Sequence, residues 1–236
     1  MERGAYRIEL DTLPHTCRIE DEKLRLQYTQ SSIEEGWDTR SLQRNIKTQY
    51  LGRTLAPSHK GNTTPKSLFK DPYIFEFLGI PANTDVTENK LETALTNHLQ
   101  QFLMELGKGF AFVARQQHMV TDTSDFYIDL VFYNFYLKCF VLIDLKIDEL
   151  SHADIGQMDM YVRLYDDLKK GTDDNPTIGI ILCTEKDETI VKYSVLAENE
   201  KLFASKYRLY LPKEEELKQL IETDRVNLEL ENKNPD

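Results

Sequence analysis

The stretch from Phe126 to Lys146, FYIDLVFYNFYLKCFVLIDLK, sets the tightest limit on what this chain can become. It reads as two apolar strands joined by a short turn. Desolvating a charge is expensive unless it is paired or holds a metal, so a buried strand should not carry a lone one. Yet Asp129 lies inside the first strand, and Asp144 and Lys146 close the second. Strand side chains alternate between faces, so Asp144 and Lys146 share one face and Leu145 points the other way. A two-residue loop (Phe135, Tyr136) or a four-residue loop (Asn134 to Leu137) sets Asp129 opposite Leu142. Asp144 is then its diagonal neighbour on the same face. Two carboxylates and an ammonium converging on an apolar hairpin read as a site.

The chemistry of such a site is that of a hard divalent cation. Magnesium takes one or two carboxylates and completes its shell with waters and phosphate oxygens; manganese accepts similar oxygen ligands. Asp129 and Asp144 supply the carboxylates. The backbone carbonyl of Leu145, between the two site residues, is a further candidate ligand. Lys146 can orient or activate an attacking water, or stabilise charge on the reacting phosphate. Its expected role is a compact cation beside metal and phosphate, not a salt-bridge partner of the aspartates.

Around this hairpin the periodicity predicts helices and strands in a definite order. Residues 87–107 form the strongest helix, with Leu91, Leu95, Leu99, Phe102, Leu103 and Leu106 as its core stripe. Asp85 and Glu88 resemble a capping box, and Gly107 suits the end. Glu92 sits at the edge of that stripe, either as a solvated flank or as a carboxylate aimed at the sheet and able to reach a second metal or the water. A strand follows from about residue 110, then the hairpin, then a helix over 153–170 with Ile155, Met158, Tyr161, Val162 and Tyr165 inward. Gln157 and Tyr161, four apart, share a face of that helix. They are either a polar pair packed over the sheet or a group that holds the water or the scissile phosphate. TIGIILC, residues 177–183, suits a central strand parallel to the one ending at Lys146, because one helix connects them. A short helix near 187–195, a strand near 207–211 and a helix over 212–222 complete the series. The order helix, strand, strand, strand, helix, strand implies an α/β fold: a mixed central sheet with helices packed on it.

Ahead of this core, residues 20–35 and 39–51 have helical spacing and are separated by Gly36. Asp38 or Thr39 can cap the second. Such a pair is a helix-turn-helix candidate or an ordinary helical hairpin. Residues 39–70 hold Arg40, Arg44, Lys47, Arg53, Lys60, Lys66 and Lys70 and not one Asp or Glu. The net charge of −11 speaks against nucleic acid at first. A local basic patch, though, is what meets phosphate, so Arg40, Arg44, Lys47 and Arg53 are the candidate nucleic-acid contacts. Three scattered cysteines, Cys17, Cys139 and Cys183, read as buried free thiols in a reducing compartment, and no secretory signal is visible; a cytoplasmic location is expected. No apolar run reaches the roughly 18 residues of a membrane span.

Glu on a helix, Asp in a strand, Asp-x-Lys closing the next strand and Gln-x-x-x-Tyr on the next helix: this order resembles the PD-(D/E)XK nuclease superfamily. The likeness is closer still to its YhcG-like subgroup, bacterial proteins with an N-terminal helical DNA-binding-type domain and a C-terminal nuclease domain. It is carried by DPYIFEFLGI, LETALTNHLQQFLMELGKGFAFVARQ, DFYIDLVFYN, CFVLIDLKI, IGQMDMYV and DDNPTIGIILC, running from Asp71 to Cys183. Upstream, residues 13–46 look like the last part of that family's N-terminal domain. The resemblance implies a restriction-endonuclease-like αβββαβ core over residues 71–223, after a partial helical domain (1–55) and a linker (56–70), with a tail from 224. It places Asp129, Asp144 and Lys146 on the catalytic triad, Glu92 on the helix carboxylate, and Gln157 with Tyr161 on the following helix motif. Ile128 stands where the superfamily's name has Pro, and Asp144 where closer relatives usually have Glu; neither change removes a ligand.

The resulting expectation is a magnesium- or manganese-dependent endonuclease acting on DNA, with a homodimer expected by analogy with relatives that cut two strands. A non-catalytic nucleic-acid- or partner-binding module on the same fold is the competing reading. The retained buried charges, which cost stability, speak against it. Neither a P-loop nor a dinucleotide-binding glycine motif supports a nucleotide- or sugar-binding enzyme.

Overall fold

The computed structural model describes residues 16–17, 19–53, 69–80, 85–121, 124–192, 194, 196, 201–209, 212–213, 215–216, 218–219 and 222. Residues 1–15, residues 56–68 of the expected linker, residues 214, 217, 220 and 221 of the expected last helix and the tail lie outside them; Phe69 and Lys70, at the end of the expected linker, are buried in the fold. Six strands form one sheet in the order β1-β6-β5-β4-β3-β2. These are β1 (Tyr73–Ile74), β2 (Phe110–Val120), β3 (Asp125–Asn134), β4 (Cys139–Leu145), β5 (Ile178–Cys183) and β6 (Leu202–Arg208). β2, β3 and β4 are an antiparallel meander; β4, β5, β6 and β1 are parallel. The sheet is therefore mixed, as the element order requires. β6 begins five residues before the expected strand. Its polar Ser205 and Lys206 mask it in the sequence, although Ser205 is fully buried.

Helices cover both faces. α1 (Glu22–Glu35) and α2 (Thr39–Lys47) precede the sheet. α3 (Glu88–Asn97) and α4 (Leu99–Leu106) pack Leu91, Leu95, Phe102 and Leu106 against Leu130, Phe132, Ile143 and Leu145. α5 (His152–Leu168) packs Ile155, Met158, Tyr161, Val162 and Tyr165 against Val131, Leu142 and Ile181 on the other face. Gly179 of β5 lets α5 approach closely: a Cβ there would lie 2.6 Å from Met158 Cγ. α6 (Glu188–Lys192) is shorter than the expected 187–195.

Three local differences have identifiable causes. The helix expected over 87–107 breaks at His98 (φ −109°, ψ 35°). Thr96 Oγ1 donates back to the Glu92 carbonyl at 2.9 Å, a bond that bends helices, and Asn97 and His98 are weak helix formers. Its N-cap is Thr87, whose hydroxyl accepts from Lys90 N–H, rather than Asp85. α2 stops at Lys47, not residue 51, because the chain turns at Gln49 (φ 48°) and seats Tyr50 against Trp37 at 5.3 Å. That contact belongs to a small apolar cluster around Tyr28, Leu42 and Tyr50.

The hairpin register also differs from expectation. β3 pairs with β4 through Asn134↔Cys139, Val131↔Leu142 and Leu130↔Ile143, so the loop is Phe135 to Lys138. Asn134 fixes this: its Oδ1 accepts from the N–H groups of Tyr136 and Leu137, both at 3.0 Å, and its Nδ2 donates to Lys108 O. The register is two residues from the expected one. Faces are unchanged, but Asp129 now comes opposite Asp144 instead of diagonal to it.

Candidate active site

Asp129 and Asp144 lie at the sheet's middle, one residue beyond the last β3–β4 pair. Asp129 Oδ2 accepts from the Leu145 N–H at 2.8 Å. Asp144 is 3% exposed. Its buried Oδ2 makes an ion pair with Lys146 Nζ at 3.0 Å. Burial, with Asp144's charge next, pushes the Asp129 carboxyl up to about 7; burial also raises that of Asp144. Two carboxylates held together in a half-dry niche thus carry negative charge that a cation would relieve.

Lys146 also stands at salt-bridge distance from two carboxylates. Its Nζ sits beside Asp144 and 3.6 Å from Asp154 Oδ1. Burial pulls its pKa down, but Asp144 outweighs burial and holds it above the ordinary lysine value. Asp154, which nothing in the strand pattern indicated, is fixed by the capping box of α5: Ser151 N–H and Oγ donate to Asp154 Oδ2 at 2.9 and 2.6 Å.

Glu92 is no solvated flank; it is 2% exposed and turned toward the sheet. Arg115 Nε donates to its Oε1, and Gln116 Nε2 donates to its Oε2 at 2.5 Å and to Asp129 Oδ1 at 3.1 Å. Arg115 and Gln116 were not singled out in the sequence. The available signal was a polar run, ARQQH, inside a strand. Gln157 Nε2 donates to the Tyr161 hydroxyl at 2.8 Å, which in turn donates to Tyr127 O at 3.2 Å. Burial, and then the charges of Asp144 and Asp129, raise the Tyr161 pKa, so this pair stands within the electrostatic reach of the carboxylates.

The basic residues divide. Arg40 and Lys47 are exposed on α2. Arg44 is turned inward: it bonds Glu76 at 2.8 and 3.1 Å, Glu105 at 3.0 Å and Ile74 O at 3.1 Å. Arg53 is fully buried on Glu105, Thr48 O and Pro72 O. Neither of these two guanidinium groups is presented to a phosphate. Cys139 and Cys183 are buried free thiols as expected; Cys17 is exposed. Among the described residues, no helix is long and apolar enough to cross a membrane.

A mixed sheet carrying Asp, Asp-x-Lys, a helix Glu and a Gln-x-x-x-Tyr pair is the framework of a PD-(D/E)XK-type nuclease domain. Residues 66–222 match the family model described as YhcG PDDEXK nuclease domain, and the chain belongs to that family. It is 35% identical over 211 residues to the Escherichia coli (strain K12) protein named "Putative nuclease YhcG". The match covers 84% of this chain and 56% of the relative, so the chain spans little more than half of that protein's length. Among solved structures, it overlaps partly with a repair endonuclease from Pyrococcus abyssi (TM-score 0.37, 17% identity, 56% of this chain and 50% of that one). A similar partial overlap is found with EndoMS in a dsDNA complex (TM-score 0.38, 15% identity, 57% and 50%).

Proposed function

We propose that this chain is a divalent-cation-dependent nuclease that hydrolyses DNA phosphodiester bonds within strands. The observation that carries the reading is Asp129 set opposite Asp144 with Lys146 Nζ 3.0 Å from Asp144 Oδ2. The residues fit magnesium or manganese. Asp144 Oδ2 is buried with Lys146 as its charged neighbour, and the two carboxylates repel each other. Among the described residues no three acidic, His or Cys side chains form a ready-made cage. That suits an ion that needs only one or two carboxylates and takes its other ligands from water and phosphate. Asp129, Asp144 and the Leu145 carbonyl would hold it. Bound there, such an ion lowers the pKa of its water and neutralises phosphate charge.

Lys146 donates to a phosphate oxygen and offsets the charge that grows there in the transition state. It also orients or activates the attacking water. Gln157, braced by Tyr161, offers an amide to the water or the scissile phosphate. Arg40 and Lys47 draw the DNA backbone toward α2. The buried free thiols suit a reducing, cytoplasmic setting.

The test is to incubate linear, circular, branched and single-stranded DNA with the protein and magnesium or manganese, beside Asp144→Ala and Lys146→Ala. Cleavage of a circle, which has no ends, is expected from wild type and not from either variant. If wild type cuts nothing, the non-catalytic binding module replaces this reading. If both variants cut equally well, the site is elsewhere.

A further inference from the structure

The β2–β3 register shifts between Phe112 and Ala114, and beyond that shift Gln116 comes opposite Asp129. Arg115 pairs with Leu130 and Gln117 with Ile128, while Gln116 between them has φ 47°. Side chains other than glycine seldom occupy that left-handed region, and such residues gather at functional sites. The consequence is geometric. Gln116 Nε2 is brought between two carboxylates and donates to both Glu92 Oε2 and Asp129 Oδ1. Arg115, the neighbouring residue, holds the other Glu92 oxygen and Thr93 Oγ1 (2.9 Å). Glu92 therefore carries an N–H on each oxygen, one from a guanidinium that balances its charge. A cation between Glu92 and Asp129 would have to displace the Gln116 amide.

We propose that Arg115 and Gln116 stand in place of a second cation: the site takes a single divalent ion at Asp129 and Asp144, and Gln116 is the positioning residue that spaces Glu92 from Asp129. This rests on the nuclease reading of the same site. A neutral amide bridges two carboxylates without the like-charge repulsion they would otherwise feel, and it leaves Glu92 beside the ion instead of on it. Glu92, expected as a metal ligand, becomes the anchor for the two β2 side chains.

Manganese binding to the intact chain, counted by calorimetry and by the loss of the free-ion resonance signal, tests this without reference to activity. Wild type should bind one ion, lost in Asp144→Ala. Gln116→Glu keeps side-chain length but replaces the donor with a third carboxylate, and should bind two. Gln116→Gly, suited to φ 47°, frees Glu92 Oε2 and should also admit a second ion; its fold is checked by circular dichroism. Two ions on wild type, returning to one in Glu92→Gln, would overturn this inference while leaving the nuclease reading intact. So would both Gln116 variants remaining at one ion. No ion on wild type would sink the inference and the metal-dependent reading together.

Discussion

Arg53 and Glu105 are paired in the interior with neither side chain exposed. The carboxylate also accepts from Arg44 Nη1 and from the Ile74 N–H, each at 3.0 Å. Removing one partner of a buried pair leaves the other charge without compensation, at a cost of about 3–5 kcal/mol. Glu105→Ala strands the buried Arg53 guanidinium and leaves Arg44 to Glu76 and Ile74 O, so urea denaturation should show a loss of that order. A loss below about 1 kcal/mol would mean that water reaches the pair.

The same group predicts a pH dependence. Burial raises the Glu105 carboxyl, but Arg53, Lys70 and Arg44 outweigh it and bring the pKa down from 4.5 to about 2. The unfolded chain then takes up the proton first. The contribution is fully present above about pH 4.5 and is lost as pH falls toward 2, a change of about 3 kcal/mol. Urea midpoints between pH 6 and 2.5 should fall for wild type, and less steeply for Glu105→Gln.

Lys146→Ala should slow single-turnover cleavage by about 10²- to 10⁴-fold with little effect on DNA affinity. Lys146→Arg should not restore it. A planar guanidinium cannot occupy the place of a point charge between Asp144 (3.0 Å) and Asp154 (3.6 Å). Equal rates for Lys and Arg would show that charge alone suffices.

Gly179→Ala should lower stability by about 1–3 kcal/mol, because the new methyl collides with Met158 and lies 3.0 Å from Leu202 Cδ2. Pairing it with Met158→Ala should recover part of the loss, a non-additivity that thermal denaturation of the four proteins would reveal. Strict additivity would place the clash elsewhere.

Arg40→Ala with Lys47→Ala should weaken DNA binding and flatten its salt dependence, by a slope of about 0.9 per lost phosphate contact. Stability should hardly move, since both side chains are exposed. Arg44→Ala should do the reverse, melting earlier. Gel shifts at several salt concentrations distinguish the two.

Much of this site is legible from strand alternation and element order. The parity of Asp129, Asp144 and Lys146 survives a register error of two residues, because strand faces repeat every two. The mixed sheet follows from three consecutive strands and one helical crossover. What escapes is set by side chains that act over distance. Asn134 moves the turn by bonding its own following N–H groups, and Thr96 breaks a helix whose apolar stripe runs on without interruption. Arg44 and Arg53 look like a basic face because their acidic partners, Glu76 and Glu105, lie 32 and 52 or more residues further along. Gln116 was hidden because its importance comes from a backbone angle, which residue type does not reveal outside glycine.

The pairing of Arg44 and Arg53 with Glu105 bears on where the chain can be cut. Residue 55 looks like a boundary on composition, and an excised fragment starting there would retain every strand of the sheet and every acidic residue of the site. It would also leave behind the two arginines paired with Glu105, a buried carboxylate on α4, the helix that continues from the one bearing Glu92, and would keep only Lys70 of its three cationic neighbours. The boundary visible in the sequence is thus not a boundary in energy. A recombinant fragment meant to isolate the nuclease core should begin before α2 or replace Glu105 with an apolar residue.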